Sequence, residues 1–255
     1  MAEMLSVERH QQILEHVLNK KSVRVNELSD ILDVSVATIR RDLSQMEEKG
    51  LIQRVHGGAV LIEDSEEPPI LQRKTEQAEA KRRIGIAAAS LVKDNETIII
   101  TSGTTTEAMV PFLTGKNGLT VITNAINVAS QLTRYSNISV IVLGGWLRHS
   151  EFSILGHLTD QALQDLHADK LFHGIFGLDP EFGLTGADMQ EVQTDRKILS
   201  AAQQLIILAD HTKFGVIGQI RLAPVERVQT VITDDQTPEH FIHALREKGV
   251  QVIQA

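Results

Sequence analysis

Ser35-Val36-Ala37-Thr38-Ile39-Arg40-Arg41-Asp42-Leu43 has the spacing of a short helix with one buried face. Ile39, Leu43 and Met46 fall at i, i+4 and i+7 and form an apolar stripe. Ala37, Arg41 and Gln45 share the opposite side, with Thr38 and Arg40 beside them. Ser35 stands just ahead of the first turn, where its hydroxyl can accept a free backbone N–H. A helix that opens with small and hydroxyl side chains and exposes two arginines is built to enter a DNA major groove end-first. Paired arginines alone are ordinarily a solvated face, with Asp42 pairing one of them, so the neighbours carry weight.

Upstream, Val25, Leu28, Ile31 and Leu32 are spaced to share one face of a helix, and Asp33-Val34-Ser35 is a tight connection into the next. Val7, Ile13, Leu14, Val17 and Leu18 supply an earlier amphipathic helix that closes a three-helix core. After Lys49-Gly50, a glycine stop, two apolar runs flank Gly57-Gly58 and predict a β-hairpin wing. Arg54 and His56 near its tip are placed to reach sugar-phosphate.

Thr38-Ile39-Arg40-Arg41-Asp42-Leu43, then Gly50-Leu51, then Arg54-Val55-His56-Gly57-Gly58-Ala59, closely resembles the DeoR family of bacterial transcriptional regulators. The resemblance implies that Ser35, Val36, Ala37, Thr38, Arg40, Arg41, Gln45, Arg54 and His56 face double-stranded operator DNA.

The chain has 255 residues, enough for two domains with separate cores. It has no cysteine, which excludes disulfides and thiolate metal sites and suits a reducing cytoplasm. No signal peptide or membrane-length apolar run is legible, so a cytoplasmic protein is expected. The net charge is −8. Residues 1–61 hold eight Lys/Arg against nine Asp/Glu, so attraction to DNA must come from a local patch rather than bulk charge. A weak single reading head predicts a homo-oligomer, a dimer or tetramer, engaging two or more half-sites.

Residues 1–61 are expected to form the winged helix-turn-helix domain and 62–74, acidic with Pro68-Pro69, a stiffened linker. Helical spacing begins near Thr75 and runs to about Lys93, with Lys81-Arg82-Arg83 read as a solvated face. Beyond it, strand and helix alternate. Strands are predicted at Thr97–Ile100, Leu119–Ile122, Ser139–Leu143, Leu171–Phe176, Leu205–Leu208, Val231–Ile232 and Val250–Ile253. Helices fit Thr106–Leu113, bent by Pro111, then Ala125–Leu132 and regions near 157–167, 191–203 and 238–248. The fold class is α/β: a doubly wound, mostly parallel sheet over 75–255 behind the N-terminal domain.

Open α/β sheets bind ligands past the carboxyl ends of their strands. Ser102-Gly103-Thr104-Thr105-Thr106 follows the first strand and leads into a helix, offering backbone N–H groups and hydroxyls that suit a phosphate. Helix capping is the competing use of those hydroxyls. Thr123-Asn124 follows the second strand, Gly144-Gly145 and Arg148 the third, Gly177 the fourth and Asp210 with Lys213 the fifth. Together these residues suit a phosphorylated sugar or polyol. The family resemblance extends over this region through the same residues and Glu191. It implies a sensor domain similar to ribose-phosphate isomerases and CoA transferases, repression of sugar or polyol catabolic operons, and release from DNA by a phosphorylated intermediate. It implies no catalytic residue, metal or cofactor. Three positions depart from the family pattern: Thr101 and Phe176 replace acids, and Asp195 replaces a base. Phe176 can stack on a sugar or fill the space.

The rival readings are an aldose–ketose phosphate isomerase with Glu191 or Asp188 as base beside Lys213, and a winged helix that binds protein rather than DNA.

Overall fold

The computed structural model describes residues 9–10, 12–14, 16–17, 22–48, 52–55, 57–60 and 68–255. The chain divides into two compact units, Met1–Gln72 and Arg73–Ala255. His56, Val7, Leu18 and the Lys49-Gly50 stop lie outside the described residues, as does the expected linker from 62 to 67. The rest of that segment is not a plain tether: Ile70–Arg73 is a short helix with Ile70 buried.

In the N-terminal unit, helical residues at 9–17 contribute Ile13 and Val17 to the core. Strand β1 (Ser22–Arg24) runs straight into the Val25–Leu32 helix. Asp33 ends that helix with left-handed backbone (φ 50°) and returns its N–H to the Ser29 carbonyl. The Val36–Glu48 helix follows, its Ile39, Leu43 and Met46 fully buried as their spacing predicts. Ile31 does not join the buried face assigned to it; it is 47% exposed, because Val25, Leu28 and Leu32 already fill the inward arc. The wing is β2 (Gln53–Val55) and β3 (Gly58–Val60), and the sheet order β1-β3-β2 adds a third strand that three residues of sequence could not announce. At Gly58 a Cβ would lie 2.0 Å from the Val23 carbonyl oxygen, so only glycine lets β3 lie this close to β1.

The C-terminal unit is built on a seven-stranded parallel sheet. Its strands are β4 (Thr97–Ile100), β5 (Thr120–Thr123), β6 (Ser139–Val142), β9 (Ala168–Gly174), β12 (Ala202–Leu208), β14 (Thr230–Thr233) and β15 (Gln251–Gln254). They lie in the order β15-β14-β12-β9-β4-β5-β6, each pair parallel. Alternate residues feed two cores. Ile98, Ile100, Phe172 and Ile206 pack with Ile84 and Ala88 of the Ala78–Ser90 helix and Val128 of the Ile126–Leu132 helix. Ile99, Leu171, Leu205 and Ile207 pack with Leu163, Ile198 and Leu245 from the helices His157–Gln164, Met189–Ser200 and Glu239–Glu247. Helices therefore cover both faces, as the unbroken apolar strands require.

The differences are local. The fourth strand ends at Gly174, leaving Phe176 in a bend. Pro111 lies in a 3-10 turn, Val110–Leu113, separate from a short Thr104–Glu107 helix. The hairpin β7 (Trp146–Arg148) and β8 (Ser153–Leu155) was unforeseen. So was the antiparallel sheet of β10 (Gly177–Asp179), β11 (Gly183–Gly186) and β13 (Ile220–Ala223). Gly85, inside the Ala78–Ser90 helix, lets its backbone lie against the segment after Glu107: a Cβ there would sit 2.5 Å from the Ala108 carbonyl oxygen.

Candidate DNA-reading surface and strand-end site

On the N-terminal unit the Ser35 hydroxyl accepts the Thr38 N–H at 3.1 Å, a cap that frees the helix start to face outward. Ser35, Ala37, Arg40 and Arg41 are exposed, and Thr38 and Gln45 half-buried. Val36 is half-buried and packs on the core, which limits what it can offer a ligand. Arg54 is exposed; its N–H donates to Glu47 Oε1 at 2.9 Å and its guanidinium to Ser44 Oγ at 2.6 Å, tying the wing to the helix.

Asp42 does not pair with Arg40 or Arg41. It is buried and accepts Arg9 Nε at 2.6 Å, Arg9 Nη2 at 3.0 Å and a contact from His10 Nε2 at 3.0 Å. Burial pushes its carboxyl up, but the bonds from Arg9 and His10 outweigh that and hold it below the usual range. A groove of about 460 Å³ runs between Arg9 and the helix, lined by Ala37, Thr38, Arg41, Asp42 and Gln45. Arg9 was not legible as part of this surface, because its partner lies 33 residues away.

In the C-terminal unit, the sheet order sets the carboxyl ends of β12, β9, β4, β5 and β6 side by side. Gly103, at φ 138°, turns the chain from β4 into the Thr104–Glu107 helix, a conformation that favours glycine. Ser102 is half-buried, and Thr104 and Thr105 are buried. Thr106 closes the loop from within, its hydroxyl bonded to the carbonyls of Thr101 at 2.8 Å and Gly103 at 2.9 Å. Thr123 is similarly engaged, donating to the Ile100 carbonyl at 2.6 Å and accepting the Ala125 N–H. These two hydroxyls hold the site's shape. Asn124 donates to the Ile154 carbonyl at 3.3 Å, while its buried Oδ1 has no hydrogen-bond partner.

The Gly144 carbonyl accepts the Thr159 hydroxyl, and at Gly145 a Cβ would meet that hydroxyl at 2.4 Å. Gly177 likewise has no room for a side chain, its Cβ position being 2.2 Å from the Val216 carbonyl oxygen. Arg148 is already engaged: Nη1 donates to Glu191 Oε2 at 2.7 Å, and Nε lies 3.8 Å from Asp188. Burial opposes its charge, but Glu191, Glu151 and Asp188 more than restore it. Asp188 also caps the Met189–Ser200 helix through the Glu191 N–H. Asp210 is buried and caps the short turn that carries Lys213, whose Nζ lies 5.9 Å from the centre of the Phe176 ring.

Of the departures from the family pattern, Thr101 is buried and accepts the Gly174 N–H at 3.4 Å. Asp195 is 3.9 Å from His173 Nε2. Burial pushes Asp195 well above the carboxylate range, with Glu191 adding to the shift, and pushes His173 down to about 4. Both groups are thus driven toward their neutral forms, and His173 Nδ1 has no hydrogen-bond partner.

Lys81 corrects the sequence reading. It is buried, donates to the Arg73 carbonyl at 2.7 Å, and is held below the usual lysine range by burial, with Asp210 opposing that shift and Lys213 nearby. Arg82 and Arg83 do face outward, paired with Glu79 and Asp235. The signal was available: Lys81 stands three residues before Ile84 and seven before Ala88, on the buried stripe.

A winged helix-turn-helix followed by a doubly wound sheet with cations and hydroxyls at its strand ends is the build of a ligand-responsive transcriptional regulator. Residues 9–65 match the DeoR-like helix-turn-helix domain and residues 76–235 the DeoR C-terminal sensor domain. The chain belongs to the DeoR family of DNA-binding transcriptional regulators. It is 36% identical over 250 residues to the HTH-type transcriptional regulator GolR of Listeria innocua, covering 98% of each chain. It is 33% identical to the glycerol-3-phosphate regulon repressor of Escherichia coli, covering 98% of this chain and 99% of that one. Among solved structures, ribose 5-phosphate isomerase A from Neisseria gonorrhoeae aligns at TM-score 0.42 and 20% identity over 56% of each chain.

Proposed function

We propose that this chain is a cytoplasmic repressor of a sugar or polyol catabolic operon, with its reading domain over 1–61 and its sensor over 75–255. A phosphorylated metabolite at the strand ends releases it from operator DNA. What supports the reading is that the glycine-turned Ser102–Thr105 loop follows β4 and Lys213 follows β12, two strand ends on the same edge of the parallel sheet, with the buried Lys81 near Lys213. Asn124, with a buried unpartnered oxygen, and Arg148, Gly144 and Gly145 complete the neighbourhood. The name of one relative, the glycerol-3-phosphate regulon repressor, agrees with that ligand class. No helix among the described residues is long and apolar enough to cross a membrane. Ser35, Ala37, Thr38, Arg40, Arg41 and Gln45 read the groove, with Arg54 on the backbone.

Release requires that the ligand bind the non-DNA-binding arrangement better. The test is twofold. The protein should shift its own promoter duplex, and Arg41→Ala should weaken that by about 1–3 kcal/mol; no shift by the unaltered chain overturns the reading. Glycerol 3-phosphate, fructose 1-phosphate, glucose 6-phosphate and ribose 5-phosphate are screened for a rise in thermal stability, worth about 2.7 kcal/mol at 100 times the dissociation constant. Ser102→Ala and Lys213→Ala should lose the rise and still bind DNA.

The sensor is proposed to bind its ligand without turning it over. Glu191, the base an isomerase would use, is engaged by Arg148. Turnover of ribose 5-phosphate would reverse this. A homo-oligomer is proposed on the strength of β6: an apolar strand of interior type standing at the sheet edge, with Val142 49% and the adjoining Trp146 77% exposed. Pairing with a second copy would cover it. Sedimentation of Val142→Lys, expected to dissociate, tests that contact.

A further inference from the structure

The covalent path from the reading domain enters the C-terminal unit at Arg73; Arg73 and Lys74 are fastened to two parts of the strand-end site, and Lys81 ties the segment back on itself beside a third. The Arg73 guanidinium donates to Glu151, both side chains nearly buried. Glu151 lies in the turn between β7 and β8, three residues beyond Arg148. Lys74 Nζ donates to Glu107 Oε1 at 2.7 Å. Glu107 is the last residue of the helix that opens in the Ser102–Thr106 loop, and it is fixed from its other side by Asn127 at 2.8 Å and by Gln131. Lys81 Nζ donates to the Arg73 carbonyl at 2.7 Å, with Asp210 and Lys213 as its charged neighbours.

Each fastening reaches a residue adjoining one proposed to meet the ligand. Lys81 is the joint. Its ammonium holds a neutral carbonyl in a buried place, and a phosphate oxygen is the stronger acceptor because it is charged. We propose that residues 73–81 are a strap whose seating and the occupancy of the strand-end site are alternatives: an anionic ligand draws Lys81 from the Arg73 carbonyl and loosens the residue at which the reading domain's chain arrives. This rests on the reading of the strand ends as an anion site. Arg73, Lys74 and Glu151 are then positioning residues, which transmit occupancy without touching the ligand.

Linkage is reciprocal, so whatever the ligand does to DNA affinity, DNA does to ligand affinity. Inorganic phosphate is the probe, titrated calorimetrically into the full chain with and without its promoter duplex. In the unaltered chain the duplex should weaken phosphate binding by roughly 5- to 100-fold. In Arg73→Gln and Lys74→Ala, phosphate should still bind the free protein while that ratio falls toward one. Lys74 has a side chain 58% exposed, so its variant keeps the fold even if Arg73→Gln does not. A ratio unchanged in Lys74→Ala and in folded Arg73→Gln or Glu151→Gln overturns the strap and leaves the anion site standing. Phosphate bound equally on and off DNA by the unaltered chain overturns the strap and release by the ligand; phosphate not bound at all overturns the anion-site reading and the strap with it.

Discussion

The two units use buried charge differently. In the N-terminal unit one carboxylate, Asp42, is met by Arg9 and His10, and the arginines that define the reading helix stay in solvent. In the C-terminal unit most buried and half-buried charges lie at the carboxyl end of the sheet, Arg148 with Glu191, Lys81 near Asp210, Asp195 beside His173 and Arg73 with Glu151, while Lys170 pairs with Glu96 at the other end. The Asp42 contacts with Arg9 and His10 tie two helical segments together behind the reading surface. A crowded, mutually paired set can be re-partnered when an anion arrives. The first is built to stay as it is, the second to have alternatives.

That contrast can be broken most forcefully at Asp42. Asp42→Ala leaves Arg9 and His10 without their acceptor and should cost about 3 kcal/mol, read as a lower unfolding transition of the N-terminal unit together with lost promoter binding. If stability is unchanged, the network is ornamental. In the C-terminal unit, His173 has its folded pKa at about 4, below the usual 6.5. The unfolded chain therefore takes up the proton first as pH falls, and the share of stability that depends on His173 should drain away between pH 6.5 and 4, by up to about 3 kcal/mol, with the raised carboxyl of Asp195 acting in the opposite direction. Urea midpoints across that window should slope less in His173→Gln. Ser35→Ala removes a cap and should cost about 1 kcal/mol, visible in the N-terminal transition alone. Arg82→Ala breaks an exposed pair with Glu79 and should leave both transitions where they are.

Legibility follows the same division. The reading helix could be drawn from Ile39, Leu43 and Met46 because its structure repeats locally, and the central strands because β-branched runs admit few other fates. Asp42 and Arg9 were opaque to periodicity, being joined only when helices far apart in sequence pack. The hairpin at Trp146–Leu155 and the sheet holding Gly177–Asp179 escaped because their strands are three or four residues long, too short to show a period. Loop residues after each strand could be proposed from topology and from the family resemblance. Which of their hydroxyls face inward, as at Thr106 and Thr123, depends on backbone carbonyls that no spacing reveals.

Gly85 carries a last consequence. Alanine is the better helix former by roughly 1 kcal/mol, yet the methyl would strike the Ala108 carbonyl and act as a wedge behind the turn that begins at Ser102. The height of that turn above the sheet is therefore trimmed from the rear, by an atom left out. Gly85 is where a substitution would press on the segment behind the proposed anion loop without altering the loop itself.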